Sequence, residues 1–203
     1  MPQRNKEIEN TLRAAGLYRG LQVRSGSVAP VTPTRAAKKG ATDADTAIRF
    51  VLSTEMPATV FDWRQYDFVE EVLLMDGMIV PAIKQVPFLD SHNRRSVDDV
   101  LGHVNDFQEL TVETYQAKDG LVNFAADEKS QRTRQKVIDG HITDGSIGYK
   151  VIKSVWIPVG DEAVVNGRIF AGPLKVSYQW LLKEYSATPI GADVLAKVRA
   201  IIH

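Results

Sequence analysis

Short runs of alternating apolar and polar residues dominate the chain from Thr46 onward and predict a mainly β protein. Three of the predicted strands stand alone, at residues 47–53, 149–152 and 176–185. The others form pairs around short turn sequences that are typical of β-hairpins. These pairs are residues 68–75 and 78–82 around Asp76-Gly77, 110–115 and 121–125 around Lys118-Asp119-Gly120, and 163–165 and 168–170 around Asn166-Gly167.

Two helices are predicted within this β pattern. Asp127 is a suitable N-cap for a helix that runs to about Ile138, with Gly140 near its end. Asp193 is a suitable N-cap for a second helix at the C-terminus. That second helix is indicated by apolar residues at helical spacing, namely Val194, Leu195, Val198, Ile201 and Ile202. Many short antiparallel strands with few helices predict an α+β fold that is mainly β, in the form of a barrel or sandwich flanked by helices.

The first 45 residues differ from the rest of the chain. Residues 1–40 contain eight basic and two acidic residues, and residues 5–15 are compatible with one short helix. Residues 25–45 contain few large apolar side chains and read as a flexible linker. We therefore expect a basic tail and linker at 1–45 and a folded domain at 46–203. A solvated tail is the simpler interpretation of the basic segment, and a docking or nucleic-acid-contacting arm is the alternative.

The composition limits the kinds of partner and chemistry that are expected for this protein. The 203-residue chain has a formal net charge of zero, so no global electrostatic attraction favours nucleic acid or a membrane. It contains no cysteine, which removes disulfides, thiolate chemistry and cysteine-ligated zinc. No apolar run approaches the roughly 18 residues of a membrane span. We expect a soluble protein inside a cell, with neither a membrane nor nucleic acid as its partner.

Ser146 is the first candidate for chemistry. The segment Asp144-Gly145-Ser146-Ile147-Gly148-Tyr149 places a serine close to two glycines, beside a predicted strand. A serine without bulky neighbours can face a substrate and leave backbone N–H groups free, as a hydrolase nucleophile requires. The alternative interpretation is a glycine-containing turn before a strand.

His92 and Glu184 are the second and third candidates. His92 lies where an apolar run passes into a polar loop, a suitable place for a general base. A period of two places Trp180, Leu182, Glu184 and Ser186 on one strand face. If that face is buried, Glu184 needs a partner, and a carboxylate behind a histidine orients the imidazole of a catalytic triad. In the alternative interpretation, Glu184 pairs with a lysine at the surface.

The order of the motifs resembles that of the prohead proteases of tailed bacteriophages. The motifs are His92, Gly102-His103-Val104, Ser146-Ile147-Gly148-Tyr149, Glu184-Tyr185-Ser186 and Pro189-Ile190-Gly191-Ala192-Asp193. A His-bearing loop followed by a Gly-His-Val strand is also similar to the herpesvirus assemblins. The resemblance extends over roughly residues 47–199 and excludes the first 45.

The resemblance implies a serine endopeptidase with an assemblin-like antiparallel β-barrel and no cofactor. Ser146 would be the nucleophile and His92 its base. Assemblins use a second histidine downstream of the serine, where this chain has only His203, so Glu184 is the better candidate for the third member. The implied substrates are the major capsid protein, a scaffold protein and the protease itself. The implied location is the assembling prohead in the host cytoplasm, and a homodimer is compatible with the resemblance.

Two residues depart from the family pattern. Gly145 stands where relatives usually have an apolar residue, and we expect it to loosen the position of the nucleophile. Gly191 interrupts a Pro-Ala pair and should alter only the entry into the last helix. Two other classes of protein stay open at this point. One is a non-catalytic structural protein with the same barrel, and the other is a metal-dependent hydrolase that uses His92, His103 and a carboxylate.

Overall fold

The computed structural model describes residues 47–62, 65–193 and 195–201, and this part of the chain is mainly β, as predicted. It contains a single α-helix, α1 (Glu128–Ile138), where the sequence had indicated more than one. The predicted tail and linker at 1–45 lie outside the described residues. The strands are β1 (Ile48–Thr54), β2 (Ala58–Asp62), β3 (Asp67–Leu73), β4 (Met78–Ile79), β5 (Val86–Asp90), β6 (Val100–Val112), β7 (Tyr115–Phe124), β8 (Asp144–Ile157), β9 (Glu162–Val165), β10 (Arg168–Ala171), β11 (Leu174–Thr188) and β12 (Val198–Ile201).

Ten of these strands form one sheet, and β9 and β10 form a separate hairpin. The long strand β11 is the centre of the sheet. On one side it pairs antiparallel with β8 over nearly its whole length. On the other side it pairs in parallel with β3, β4 and β5, one after another. The expectation of a purely antiparallel sheet is therefore wrong, because three successive short strands run in the same direction as β11.

The strand ladders do not close into a complete ring. Their order is β12-β1-β7-β6-β5-β11-β3-β2, with β4 and β8 also paired to β11. The start of β8 meets the segment that leads into β12 through an isolated bridge between Asp144 and Lys197. The backbone N–H of Val198 donates to the carbonyl of Thr143 at 3.0 Å next to this bridge. One short contact thus connects the two open sides of the sheet.

One of the three predicted hairpins is confirmed. Asn166 and Gly167 form the two-residue loop between β9 and β10, and both have positive φ, 48° and 76°. This backbone is that of a type I′ turn, for which Asn-Gly is the preferred sequence. The hairpin packs over the smaller of two hydrophobic clusters, which is formed by Val72, Leu74, Ile157, Val165, Leu174 and Val176.

The turns of the other two predicted hairpins are wrong, although β6 and β7 do pair as an antiparallel hairpin. Asp76 and Gly77 lie in a 3-10 turn after which the chain continues along β11 instead of reversing. Gly77 is required there by close packing, since a Cβ would come within 2.0 Å of the Tyr178 carbonyl oxygen. Residues 118–120 lie inside β7, and the chain reverses at Glu113, which has a φ of 55°.

One of the two helix predictions is confirmed and the other is wrong. Asp127 caps α1, because its side chain accepts a hydrogen bond from the backbone N–H of Ser130. The predicted C-terminal helix is wrong, since the chain instead forms β12, which pairs with β1. The carboxylate of Asp193 accepts from the backbone N–H groups of Thr54 at 2.7 Å and Leu195 at 2.9 Å, so it holds a turn beside β1.

Aromatic rings fill the centre of the main core. The Tyr185 ring lies 5.6 Å from that of Phe50 in an edge-on arrangement and 5.9 Å from that of Phe88 in a stacked one. The indole N–H of Trp180 donates to the Leu74 carbonyl at 2.8 Å, so its polar atom is satisfied inside the core. Trp180 and Tyr185 belong to β11, so this strand separates the main core from the residues on its other face.

Candidate active site

A β-bulge in β11 decides which side chains face the site. Leu182 pairs with Tyr149 and Glu184 pairs with the next residue, Gly148, so Lys183 is an extra residue in β11. Trp180 and Leu182 before the bulge lie in the main core, and so do Tyr185 and Ala187 after it. Glu184 and Ser186 consequently face away from that core. The prediction that they share a face with Trp180 and Leu182 is wrong, because the bulge reverses the alternation.

Glu184 is nevertheless buried, because a loop covers it. Its side chain is 3% exposed, and both of its carboxylate oxygens accept hydrogen bonds. Oε1 accepts from His92 Nδ1 and from Arg94 Nη2, both at 2.8 Å, and Oε2 accepts from Ser186 Oγ at 2.7 Å. Burial opposes ionisation, but the hydrogen bonds from His92, Arg94 and Ser186 outweigh it and hold the pKa of Glu184 below its ordinary value.

His92 is held at two points. Its backbone N–H donates to Ser186 Oγ at 3.1 Å, and its ring Nδ1 donates to Glu184. Ser91 and His92 both have positive φ, 48° and 59°, which turns the chain sharply at the end of β5. The His92 side chain is 38% exposed. Because Nδ1 is occupied, Nε2 is the nitrogen that a substrate or a nucleophile can use.

Helix α1 supports the loop that carries His92. Lys129 forms ion pairs with Asp90 at 3.0 Å and Asp99 at 2.6 Å, which lie before and after that loop. The side-chain amide of Asn93 also donates to Asp99, inside the loop. Both ends of the loop are thus attached to the first turn of the helix.

Ser146 lies on β8 directly opposite Ser186. Side chains of directly opposed residues in an antiparallel pair lie on the same face of the sheet, with Cβ atoms about 5 Å apart. Ser146 is therefore on the face that also carries Glu184 and Ser186. Among the described residues its hydroxyl has no hydrogen-bond partner, so it is not bonded to His92 in this structure.

Gly145 leaves space for Tyr185. A Cβ at Gly145 would come within 1.9 Å of Tyr185 Oη, and that hydroxyl donates to the Val51 carbonyl at 3.3 Å. The glycine before Ser146 therefore lets a core tyrosine pack against the strand, instead of loosening the serine as expected. Gly191 lies close to Gly145, and its backbone N–H donates to the Asp144 carboxylate at 3.2 Å. It helps to fix the start of β8, and no helix follows it within residues 192–193 and 195–201.

The remaining histidines lie elsewhere. His103 is in β6, paired with Pro87 and Asn123, and His141 is exposed after α1. His203 lies outside the described residues. Within residues 47–62, 65–193 and 195–201, no group of three or more His, Asp or Glu side chains could hold a metal ion. His92 and His103 therefore do not share a ligand group there.

The structure brings His92 and Glu184 into contact and places Ser146 on their side of the sheet. Their catalytic roles stay predictions. Sequence reasoning missed the role of Ser186, which bonds both Glu184 and the backbone of His92. The sequence feature that could have indicated this role is the spacing of two residues between Glu184 and Ser186, which places both side chains on one face of the strand. Sequence also gave no position for Arg94, which shares Oε1 of Glu184 with His92.

Comparison with protein-family models, curated proteins and solved structures finds no match to this chain. No helix in the described part of the chain has the length and apolar character needed to cross a bilayer.

The arrangement of the site itself is a carboxylate-oriented imidazole beside a serine on a neighbouring strand. Such a group can transfer protons and can support attack by a hydroxyl on an acyl carbon.

Proposed function

We propose that this protein is a serine endopeptidase in which Ser146 is the nucleophile, His92 the general base and Glu184 the orienting carboxylate. One observation carries the proposal. His92 Nδ1 lies 2.8 Å from a buried Glu184 oxygen, on the sheet face that also carries Ser146. A buried carboxylate that accepts from Nδ1 fixes the tautomer with Nε2 free to accept a proton.

The reaction follows from these positions. Ser146 Oγ attacks the scissile carbonyl while His92 Nε2 takes its proton and later gives it to the leaving amine. Glu184 stays ionised and stabilises the imidazolium that forms in between. Arg94 and Ser186 also donate to the carboxylate, so Glu184 keeps its orientation while His92 changes charge. A serine–histidine hydrogen bond that is absent before substrate binds is expected to form in the Michaelis complex.

We further propose that the enzyme matures phage proheads. The support is the motif order from His92 to Asp193, together with the bridge between Asp144 and Lys197 that would complete an assemblin-like barrel. Its substrates would be the scaffolding segment of the major capsid protein, a scaffold protein and the enzyme itself, inside the assembling head. The basic segment 1–45 would then be a tether that self-cleavage removes. An intact N-terminus in protein recovered from fully processed capsids would refute the tether.

Labelling with a fluorophosphonate followed by peptide mapping tests the nucleophile. We expect the label on Ser146 and none on Ser91, Ser96, Ser130 or Ser186. Capsid precursor incubated with wild-type and Ser146→Ala protein tests the reaction. Cleavage by the wild type alone supports the proposal, and equal fragment patterns from the two proteins reject catalysis by Ser146.

One observation favours a second function. The Ser146 hydroxyl is not hydrogen-bonded to His92. The same arrangement is expected in a non-catalytic protein that binds capsid or scaffold and retains the fold of a protease. Such a protein would bind capsid precursor and leave it intact, and fluorophosphonate would label no serine. Co-sedimentation with capsid precursor, measured beside the cleavage assay, separates the two functions.

A further inference from the structure

The hydroxyl of Thr188 is buried without a hydrogen-bond partner. Thr188 is the last residue of β11, and it is 6% exposed. In the described part of the chain, no other buried side-chain nitrogen or oxygen is left without a partner. A hydroxyl in this state opposes folding, so a use in binding or catalysis is one reason for it to be there.

Thr188 lies on the face of β11 that carries the candidate site. It follows Ser186 by two residues, as Ser186 follows Glu184, so all three share one face of the strand. Across the pairing with β8, Ser186 lies opposite Ser146. Thr188 lies opposite Asp144 and is therefore the diagonal neighbour of Ser146. Diagonal neighbours have Cβ atoms about 6 Å apart, so two hydroxyls that turn towards each other can meet.

The other polar neighbours of this threonine on β8 and β11 already have partners. Ser186 Oγ donates to Glu184 and accepts from the backbone N–H of His92. The carboxylate of Asp144 accepts from three groups, which are Thr143 Oγ1, Lys197 Nζ and the backbone N–H of Gly191. Ser146 is different, because its hydroxyl has no partner among the described residues. The two hydroxyls without partners are thus diagonal neighbours on the face of the site.

We infer that Thr188 is a fourth catalytic residue, whose hydroxyl donates to Ser146 Oγ while the serine gives its proton to His92. This inference rests on the proposed function and adds a residue to the same site. The two hydroxyls are not bonded to each other in the structure. The bond therefore forms only when the Ser146 side chain turns to react.

The reaction step stays balanced with this addition. Ser146 Oγ forms the bond to the scissile carbon, and its proton passes to His92 Nε2. Thr188 keeps its own proton throughout. Negative charge develops on Ser146 Oγ before the new bond is complete, and a hydrogen bond to a charged acceptor is stronger than one to a neutral acceptor. The Thr188 hydroxyl therefore stabilises the transition state more than the resting protein.

Thr188→Val tests the inference, because it removes the hydroxyl and nearly keeps the shape of the side chain. We expect fluorophosphonate labelling of Ser146 to slow about tenfold, while resistance to urea is kept or increased, since the resting protein loses no hydrogen bond. Thr188→Ser retains the hydroxyl and should be labelled within about twofold of the wild-type rate. Ser177→Ala removes a bonded hydroxyl from the same strand, so it should lose stability and keep the labelling rate. A wild-type labelling rate in Thr188→Val would overturn the inference.

A second measurement does not depend on catalysis. The chain contains no cysteine, so Ser146→Cys introduces a single thiol, whose ionisation is measured by the rate of iodoacetamide alkylation against pH. A hydroxyl that donates to the thiolate favours it, so adding Thr188→Val should lower the ionisation constant of this thiol about tenfold, and adding Thr188→Ser should not.

His92, Glu184 and Asp144 also act on the thiol, but they are the same in all three proteins. An ionisation constant that Thr188→Val leaves unchanged would overturn the inference. If wild-type protein is not labelled at Ser146 and the thiol still responds to Thr188→Val, the proposed function fails and the contact between positions 146 and 188 is supported.

Discussion

Gly148 lies directly beneath the carboxylate of Glu184. These residues are paired across β8 and β11, and a Cβ at Gly148 would come within 2.0 Å of Glu184 Oε1. The buried carboxylate thus occupies the space that a side chain on β8 would otherwise fill. The second glycine of the Gly-Ser-Ile-Gly segment is needed so that an ion cluster can lie across the strand.

Gly148→Ala is expected to displace Glu184 and Arg94 and to destabilise the fold by about 1–3 kcal/mol, as overpacking does. Movement of Glu184 turns His92, so the rate of fluorophosphonate labelling should fall about a hundredfold. Urea unfolding and the labelling rate measure the two effects. Lys150→Ala, two residues further along the same face of β8, is the control and should change neither. An unchanged labelling rate in Gly148→Ala would contradict the predicted effect of Glu184 on the position of His92.

Ser186→Ala tests the residue that joins Glu184 to the backbone of His92. Loss of its hydroxyl leaves two groups without their partner and should cost about 1–3 kcal/mol in the free energy of unfolding. The labelling rate should fall about ten- to a hundredfold, because His92 is less well positioned.

Ser177→Ala is the matched control for Ser186→Ala. Ser177 is also a buried serine of β11, and its Oγ donates to Glu71 Oε1 at 2.6 Å, away from His92. We expect a similar loss in the free energy of unfolding with an unchanged labelling rate. Equal effects of the two substitutions on labelling would show that Ser186 has no specific positioning role.

The low pKa of Glu184 predicts a pH dependence of stability. Its pKa in the folded protein lies below the ordinary value of 4.5, so the ionised form stabilises the fold above that pH. This stabilisation is lost as pH falls through the lower, folded pKa. As pH falls below about 4.5, Glu184→Gln should therefore lose less stability than the wild type. Urea unfolding at stepped pH measures this, with Glu128→Gln as the control, since the Glu128 side chain is 94% exposed. Parallel curves for wild type and Glu184→Gln would exclude the predicted effect.

Gly145→Ala should destabilise the protein by about 1–3 kcal/mol, because the new Cβ would lie 1.9 Å from Tyr185 Oη. Tyr185→Phe removes that oxygen but leaves Cζ at 2.2 Å, so the double variant should recover only part of the loss. A double-mutant cycle by urea unfolding measures the coupling between the two positions. Additive effects would mean that the two residues do not compete for the same space.

Local rules were sufficient where the structure depends on neighbouring residues. The Asn166-Gly167 turn and the Asp127 cap follow from backbone preferences within four residues, and the sequence predicts both correctly. The hairpin predicted at Asp76-Gly77 is wrong because the two flanking strands, β3 and β4, both pair in parallel with β11, about a hundred residues later. The chain therefore continues in the same direction after the turn. The C-terminal helix failed for a similar reason, since pairing with β1 outweighs helical spacing.

The candidate site was partly predictable. In the sequence, a buried carboxylate at Glu184 needs a cationic partner, and this need indicates His92. The reason given for its burial was wrong, because the alternation rule has no means to detect the bulge at Lys183. The bulge depends on how two long strands align, which no short segment reveals. The catalytic role of Ser146 is a prediction that labelling will decide.

The position of β11 in the chain also has a consequence for synthesis. Ribosomes produce β3, β4, β5 and β8 first, and all four need β11 to complete their pairing. Until about residue 188 has emerged, Glu184 and Ser186 cannot reach His92, and a nascent chain therefore has no assembled site. An enzyme that cuts its own chain would in this way be inactive until β11 has been synthesised, without an inhibitor.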